Sequence, residues 1–109
     1  MNEKNIIVEL AQFSLAVGAK EEDFLKEAEV VQENFLKKQE GFIDRELLKY
    51  HEDSGEEYWM DIIHWKTMEN AKKASEEMLK NPVCAGFVRM INPESVEMKH
   101  LEQLKLYMS

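Results

Sequence analysis

The chain has 109 residues and a mass of 12.8 kDa, the size of one domain spanning 1–109. Its 22 acidic and 14 basic residues leave a net charge of −8, which excludes a protein that tracks a nucleic-acid backbone with a basic face. A hydrophobic content of 44% excludes a disordered chain, the single Cys84 excludes an internal disulfide or multi-cysteine metal cluster, and no uncharged apolar run is long enough to span a bilayer.

The opening Met1-Asn2-Glu3-Lys4 leads into Ile6-Ile7-Val8, an apolar run cut short by Glu9. That is no signal-peptide core, so a cytoplasmic location is expected. Residues 5–13 read as a strand with apolar side chains on both faces: Ile6, Val8 and Leu10 against Ile7, Ala11 and Phe13. Residues 20–39 read as a helix. Phe24, Ala28, Val31 and Phe35 form one stripe, which Leu25 and Leu36 widen. Glu21, Glu22 and Asp23 sit in its first turn and Lys37 and Lys38 in its last, as the helix dipole favours; Gly41 is the expected C′ residue. Residues 42–50 and 57–66 read as a hairpin turning at Glu52-Asp53-Ser54-Gly55. On its second strand Trp59, Asp61, Ile63 and Trp65 share one face, and Tyr58, Met60, Ile62 and His64 the other. Thr67 caps a second helix running to Lys80, with Met68, Ala71, Ala74, Ser75, Met78 and Leu79 as its buried stripe. Asn81-Pro82 stops it. A short helical turn is expected within 83–91, and a last strand over 95–101.

The order β-α-β-β-α-β predicts an α+β, ferredoxin-like fold: an antiparallel sheet in the order 4-1-3-2 with both helices on one face. Strands one and three are nevertheless apolar on both faces. A second copy packing sheet against sheet is the simplest cover, so a homodimer is expected.

Gln39-Glu40-Gly41-Phe42, Arg45-Glu46-Leu47, His64-Trp65-Lys66-Thr67 with Ala71 and Ala74, and then Asn81-Pro82 and Phe87, resemble the antibiotic biosynthesis monooxygenase-like family. The resemblance covers roughly residues 5–101 and implies a dimeric α+β barrel. Its motifs are mostly structural. Haem-degrading members of that superfamily carry a tryptophan on helix two and a histidine in the segment after it; here helix two has no Trp and residues 81–92 have no His. There is also no glycine-rich dinucleotide loop and no HExxH motif. The activity that the resemblance implies is a cofactor-independent monooxygenase acting with O2 on a small phenolic, quinol or anthrone-like substrate. The alternative is a non-catalytic barrel that binds a small apolar ligand or serves as an interaction module.

Cofactor-free oxygenation of a phenol needs a dry aromatic pocket, a group that takes the phenolic proton and a donor that stabilises the anion. The candidates for proton transfer are His64 on strand three, His100 on strand four and Asp61 between Trp59 and Trp65. The two histidines lie one strand apart and flank a planar ligand only if they share a face. Each also reads as a partly buried histidine bonded within the fold, and Asp61 as an acid paired with Arg45 or Lys49. Trp59, Trp65, Glu9 and Arg45 are the candidate substrate-binding residues. Glu9 interrupts an apolar strand and needs a partner, with Arg45 the expected one. Beside Asp61 it could also share a proton or hold a divalent metal. Arg45 suits an anionic substrate or a salt bridge. The small residues Ala71, Ala74 and Ser75 either let helix two sit close to the sheet or leave a cavity beneath it. His51 in the hairpin turn and the apolar-flanked Cys84 are expected to be a solvent residue and an inert one.

Overall fold

Strict alternation sets the architecture. In strand β3 (Glu57–Trp65) every second side chain, Trp59, Asp61, Ile63 and Trp65, is buried, while the intervening ones are only half-covered. The computed structural model that shows this describes residues 5–109; the first four residues of the expected domain lie outside the described residues. Strand β1 (Ile7–Phe13) lies antiparallel to β3 on one side and to β4 (Glu97–Glu102) on the other, and β2 (Phe42–His51) pairs with β3 across the hairpin. The sheet order is therefore β2-β3-β1-β4, the expected 4-1-3-2 read from its other edge.

Helices α1 (Glu21–Asn34), α2 (Met68–Lys80) and the short α3 (Ala85–Arg89) connect the strands. The apolar stripe of α1 buries Phe24, Ala28 and Val31 as its spacing requires. The helix stops earlier than expected, at Asn34. Phe35 leaves helical geometry (φ −131°, ψ −65°) and a 3₁₀ turn, Leu36–Lys38, follows. Consecutive residues of a straight helix point about 100° apart. Breaking at Phe35 lets both Phe35 and Leu36 bury, each at 1% exposure. Leu25, expected to widen the buried stripe, is exposed.

Gly41 is consequently not a helix C′ residue. It turns the chain into β2 at φ +81°, a left-handed conformation that L side chains rarely adopt, and the Asn70 side chain occupies the space a Cβ would need. Its carbonyl accepts the Lys66 N–H at 2.9 Å, tying the start of β2 to the end of β3. Thr67 caps α2 as expected, its hydroxyl accepting the Asn70 N–H at 3.0 Å.

The core lies between the helices and the inner sheet face. At one end Phe13, Phe24, Trp59 and Phe87 interlock with ring centroids 5.0–6.3 Å apart. Cys84 is fully buried there and burial pushes its thiol up, which agrees with an inert residue. The outer face carries Val8, Leu10, Leu48, Tyr50, Met60, Ile62, His64 and Leu101, and no element among the described residues covers it. No helix of the described residues is long and apolar enough to cross a membrane.

Candidate active site beneath helix α2

Ala71 and Ala74 have no side chain beyond Cβ, so α2 packs directly on the sheet there and both are buried. Toward the end of the helix the larger Met78 and Leu79 stand at the rim, and a cavity of about 220 Å³ opens between α2 and the sheet. Phe35, Leu36, Ile63, Trp65, Met78 and Met98 give it apolar walls. Leu79, expected in the buried stripe, is exposed at its mouth. Pockets for drug-sized ligands run to roughly 300–1,000 Å³, so this one suits a small, flat aromatic ligand.

Two residues bring polar side-chain oxygens to the wall, Glu9 and Ser75. Glu9 sits mid-strand on β1, opposite Ile63 of β3 and His100 of β4, so register alone places it on the helix-covered face. Its Oε1 accepts the Ser75 hydroxyl at 3.2 Å and lies 3.1 Å from His100 Nε2. No donor among the described residues reaches Oε2. Burial pushes the Glu9 carboxyl above the usual carboxylate range. The hydrogen bond and charge of His100 and the Ser75 bond pull it down, and the charge of nearby Asp61 adds to the upward push. Trp65 completes the constellation. It is 1% exposed, lines the cavity, and its buried indole Nε1–H has no acceptor among the described residues.

The other candidates go elsewhere. Arg45 is the partner of Asp61, not of Glu9: its Nε and Nη2 donate to Asp61 Oδ1 and Oδ2 at 2.8 and 2.7 Å, and Nη1 donates to the Ala28 carbonyl at 2.8 Å. The guanidinium stands 5.5 Å from the Phe87 ring centroid. Both members of this pair are spent on structure, as the salt-bridge alternative anticipated. Trp59 belongs to the core cluster, with Lys49 Nζ 5.5 Å from its ring centroid. His64 lies on the outer face, its Nδ1 2.6 Å from Asp44 Oδ1, so His64 and His100 are on opposite sides of the sheet and do not flank one ligand within a protomer. His51 is solvent-exposed beside Glu57. Among the described residues no group of three or more His, Cys, Asp or Glu side chains is placed to hold a metal ion. A wider cavity of about 890 Å³ at the hairpin end is open and polar, edged by Glu21, Glu52, Glu56 and Glu57. It contains no buried acid like Glu9.

Sequence reasoning did not assign Ser75 to Glu9. A hydroxyl on an otherwise apolar helix stripe, facing a strand that carries an isolated acid, was the available signal.

The fold defines a class: a ferredoxin-like α+β domain of the architecture seen in antibiotic biosynthesis monooxygenase-like proteins. Similar solved structures include a proposed antibiotic biosynthesis monooxygenase from Bacillus cereus, 23% identical over 96% of this chain and 99% of that one, with a TM-score of 0.60. Another is from Bordetella bronchiseptica, 14% identical over 93% and 99%, with a TM-score of 0.70. A third is a point variant of SnoaB, a cofactor-independent oxygenase from Streptomyces nogalater, 15% identical over 94% and 96%, with a TM-score of 0.64. At these identities the likeness is one of fold. No family model matches the sequence, and no curated protein does.

Proposed function

We propose that the chain is a cofactor-independent monooxygenase that takes a small hydroxylated aromatic compound, a phenol, quinol or anthrone, into the cavity beneath α2. The observation that carries this reading is a buried carboxylate with one unbonded oxygen on the wall of an otherwise apolar, ring-sized cavity. Glu9 Oε2 accepts the ring hydroxyl and takes its proton. Trp65, Phe35 and Ile63 give the ligand's ring an apolar wall. The deprotonated ring supplies the electrons that reduce O2. The likeness in fold to a cofactor-independent oxygenase supports the assignment. His64, Asp61, Trp59 and Arg45 take no part in it.

The same proposal places a second copy against the outer sheet face. That face carries apolar side chains on all four strands, Val8, Leu10, Leu48, Tyr50, Met60, Ile62 and Leu101, with Asp44, Glu46, Glu97 and Lys99 on the two edge strands. Apolar patches of such extent are uncommon on monomers. Light scattering at micromolar concentration is expected to give twice the 12.8 kDa protomer mass.

Oxygen uptake with a panel of hydroquinones and anthrones tests the activity. Glu9→Gln is expected to lower kcat by roughly 10²–10⁴-fold, the usual contribution of a positioned base. Met98→Trp, at a half-exposed cavity wall, is expected to abolish ligand binding while leaving stability within about 0.5 kcal/mol. Ligand binding without O2 consumption by any member of the panel would overturn the oxygenase assignment and make the domain a binding module.

A further inference from the structure

Glu9 is held asymmetrically, and the asymmetry has a source. Ser75 from α2 and His100 from β4 approach from two different elements, yet both bond the same oxygen, Oε1. His100 does not line the cavity. Its side chain is 21% exposed against 9% for Glu9, so the imidazole stands between the buried acid and solvent.

We propose that His100 is the positioning residue of this site: together with Ser75 it clamps Glu9 through Oε1 alone, leaving Oε2 as the oxygen that meets the ligand. This rests on the reading of Glu9 as the proton acceptor of the cavity. The clamp acts in two ways. It fixes the carboxylate in one rotamer, and the positive charge of a protonated His100 favours the ionised form of Glu9 against the desolvation that opposes it. The other charged neighbours do not supply that charge. Asp61, from β3, is negative and its Arg45 partner from β2 is already bonded to it. The charged residues of α2 flanking Ser75, Lys72, Lys73, Glu76 and Glu77, are all exposed. The next residue of β4 on that face, Glu102, is acidic. Among these neighbours His100 is the one that, when protonated, would set a positive charge beside Glu9.

The test needs a readout that a merely structural histidine would not move. In the ligand-free protein, the Glu9 carboxyl is followed by carbon-detected NMR across pH in the wild type, His100→Gln and His100→Leu. His100→Leu removes both the bond and the charge, so the Glu9 midpoint is expected to move upward. His100→Gln, which keeps a donor, is expected to move it less, and the exposed His51→Gln not at all. The pH profile of kcat/KM is expected to move with it. The acidic limb rises in pH by the same interval, with roughly a tenfold loss on that limb for each unit of displacement, and the plateau above it is largely retained. An unmoved Glu9 midpoint would overturn the proposal, as would an equal loss of activity at every pH. Should the wild type bind p-nitrophenol but consume no O2 with any substrate, the oxygenase reading fails. The NMR titration, and the pH dependence of p-nitrophenol binding in the same variants, then still decide the role of His100.

Discussion

Replacing Arg45 by methionine keeps most of the side-chain length and removes the charge. Arg45 and Asp61 are each 7% exposed, joined by two hydrogen bonds and backed by the Ala28 carbonyl. An exposed ion pair is worth about 0–1 kcal/mol. This pair is different, because Asp61 would be left charged and unpartnered between buried Trp59 and Trp65. Breaking a buried pair from one side costs about 3–5 kcal/mol. The Ala28 carbonyl also loses its donor, and the Phe87 ring its cation. Against a total stability of roughly 5–15 kcal/mol, Arg45→Met is expected to lower the urea midpoint by about 2 M. Tryptophan fluorescence reports the transition directly, since both indoles lie in the affected core. The double variant Arg45→Met/Asp61→Leu is expected to recover most of the loss, because well-packed apolar residues replace a buried pair at little cost. A single-variant loss under about 1 kcal/mol, or no recovery in the double variant, would refute the structural assignment of the pair. So would an Asp61→Asn protein that keeps its stability and loses O2 uptake.

Three further outcomes are expected. The folded state holds the Glu9 proton to higher pH than the unfolded chain does, because burial raises that carboxyl. Wild-type stability therefore falls, relative to Glu9→Gln, as pH rises from the ordinary carboxylate value toward Glu9's raised one. Urea midpoints measured in parallel for the two proteins should diverge in favour of Glu9→Gln across that interval, and a divergence of the opposite sign would sink the claim. Gly41→Ala is expected to cost about 1–3 kcal/mol, from the left-handed backbone and from displacing the Asn70 side chain. Adding Asn70→Ala should restore only the second part in a thermal melt. Leu10→Lys, at the centre of the outer sheet face, should convert a dimer to a folded monomer by light scattering; an unchanged mass would move the subunit interface off that face.

The parts of the fold legible in the sequence were those with strong periodicity or explicit punctuation. The strands, the hairpin turn, the Thr67 cap and the sheet order all follow from local pattern plus handed connections. The break at Phe35 was not legible, because it serves two adjacent side chains that both need the core and no local signal marks it. Leu79 was misplaced because its helical phase fits the buried stripe, and only the cavity beneath it shows why nothing covers it. In the site, Glu9 stood out as an acid in an apolar strand, and Asp61 as an acid between indoles. Which acid received the lone strand arginine depended on strand register, which a sequence does not print. Arg45 stands opposite Ile63, with Asp61 two residues away along β3 on the same face; its guanidinium goes to Asp61, and Glu9, opposite His100, is left to that histidine. The separation of His64 from His100 was fixed by the same register.

Strand β3 carries two unrelated surfaces on one backbone, its odd-numbered residues turned to the helices and its even-numbered ones away. A deletion or insertion of one residue anywhere within it would exchange the two sets downstream, setting His64 under the helices and Trp65 in water. Length variation among descendants of this gene should therefore be confined to the turn around Gly55 and the segments beyond the strands. Substitutions along β3, by contrast, can alter either surface without disturbing the other.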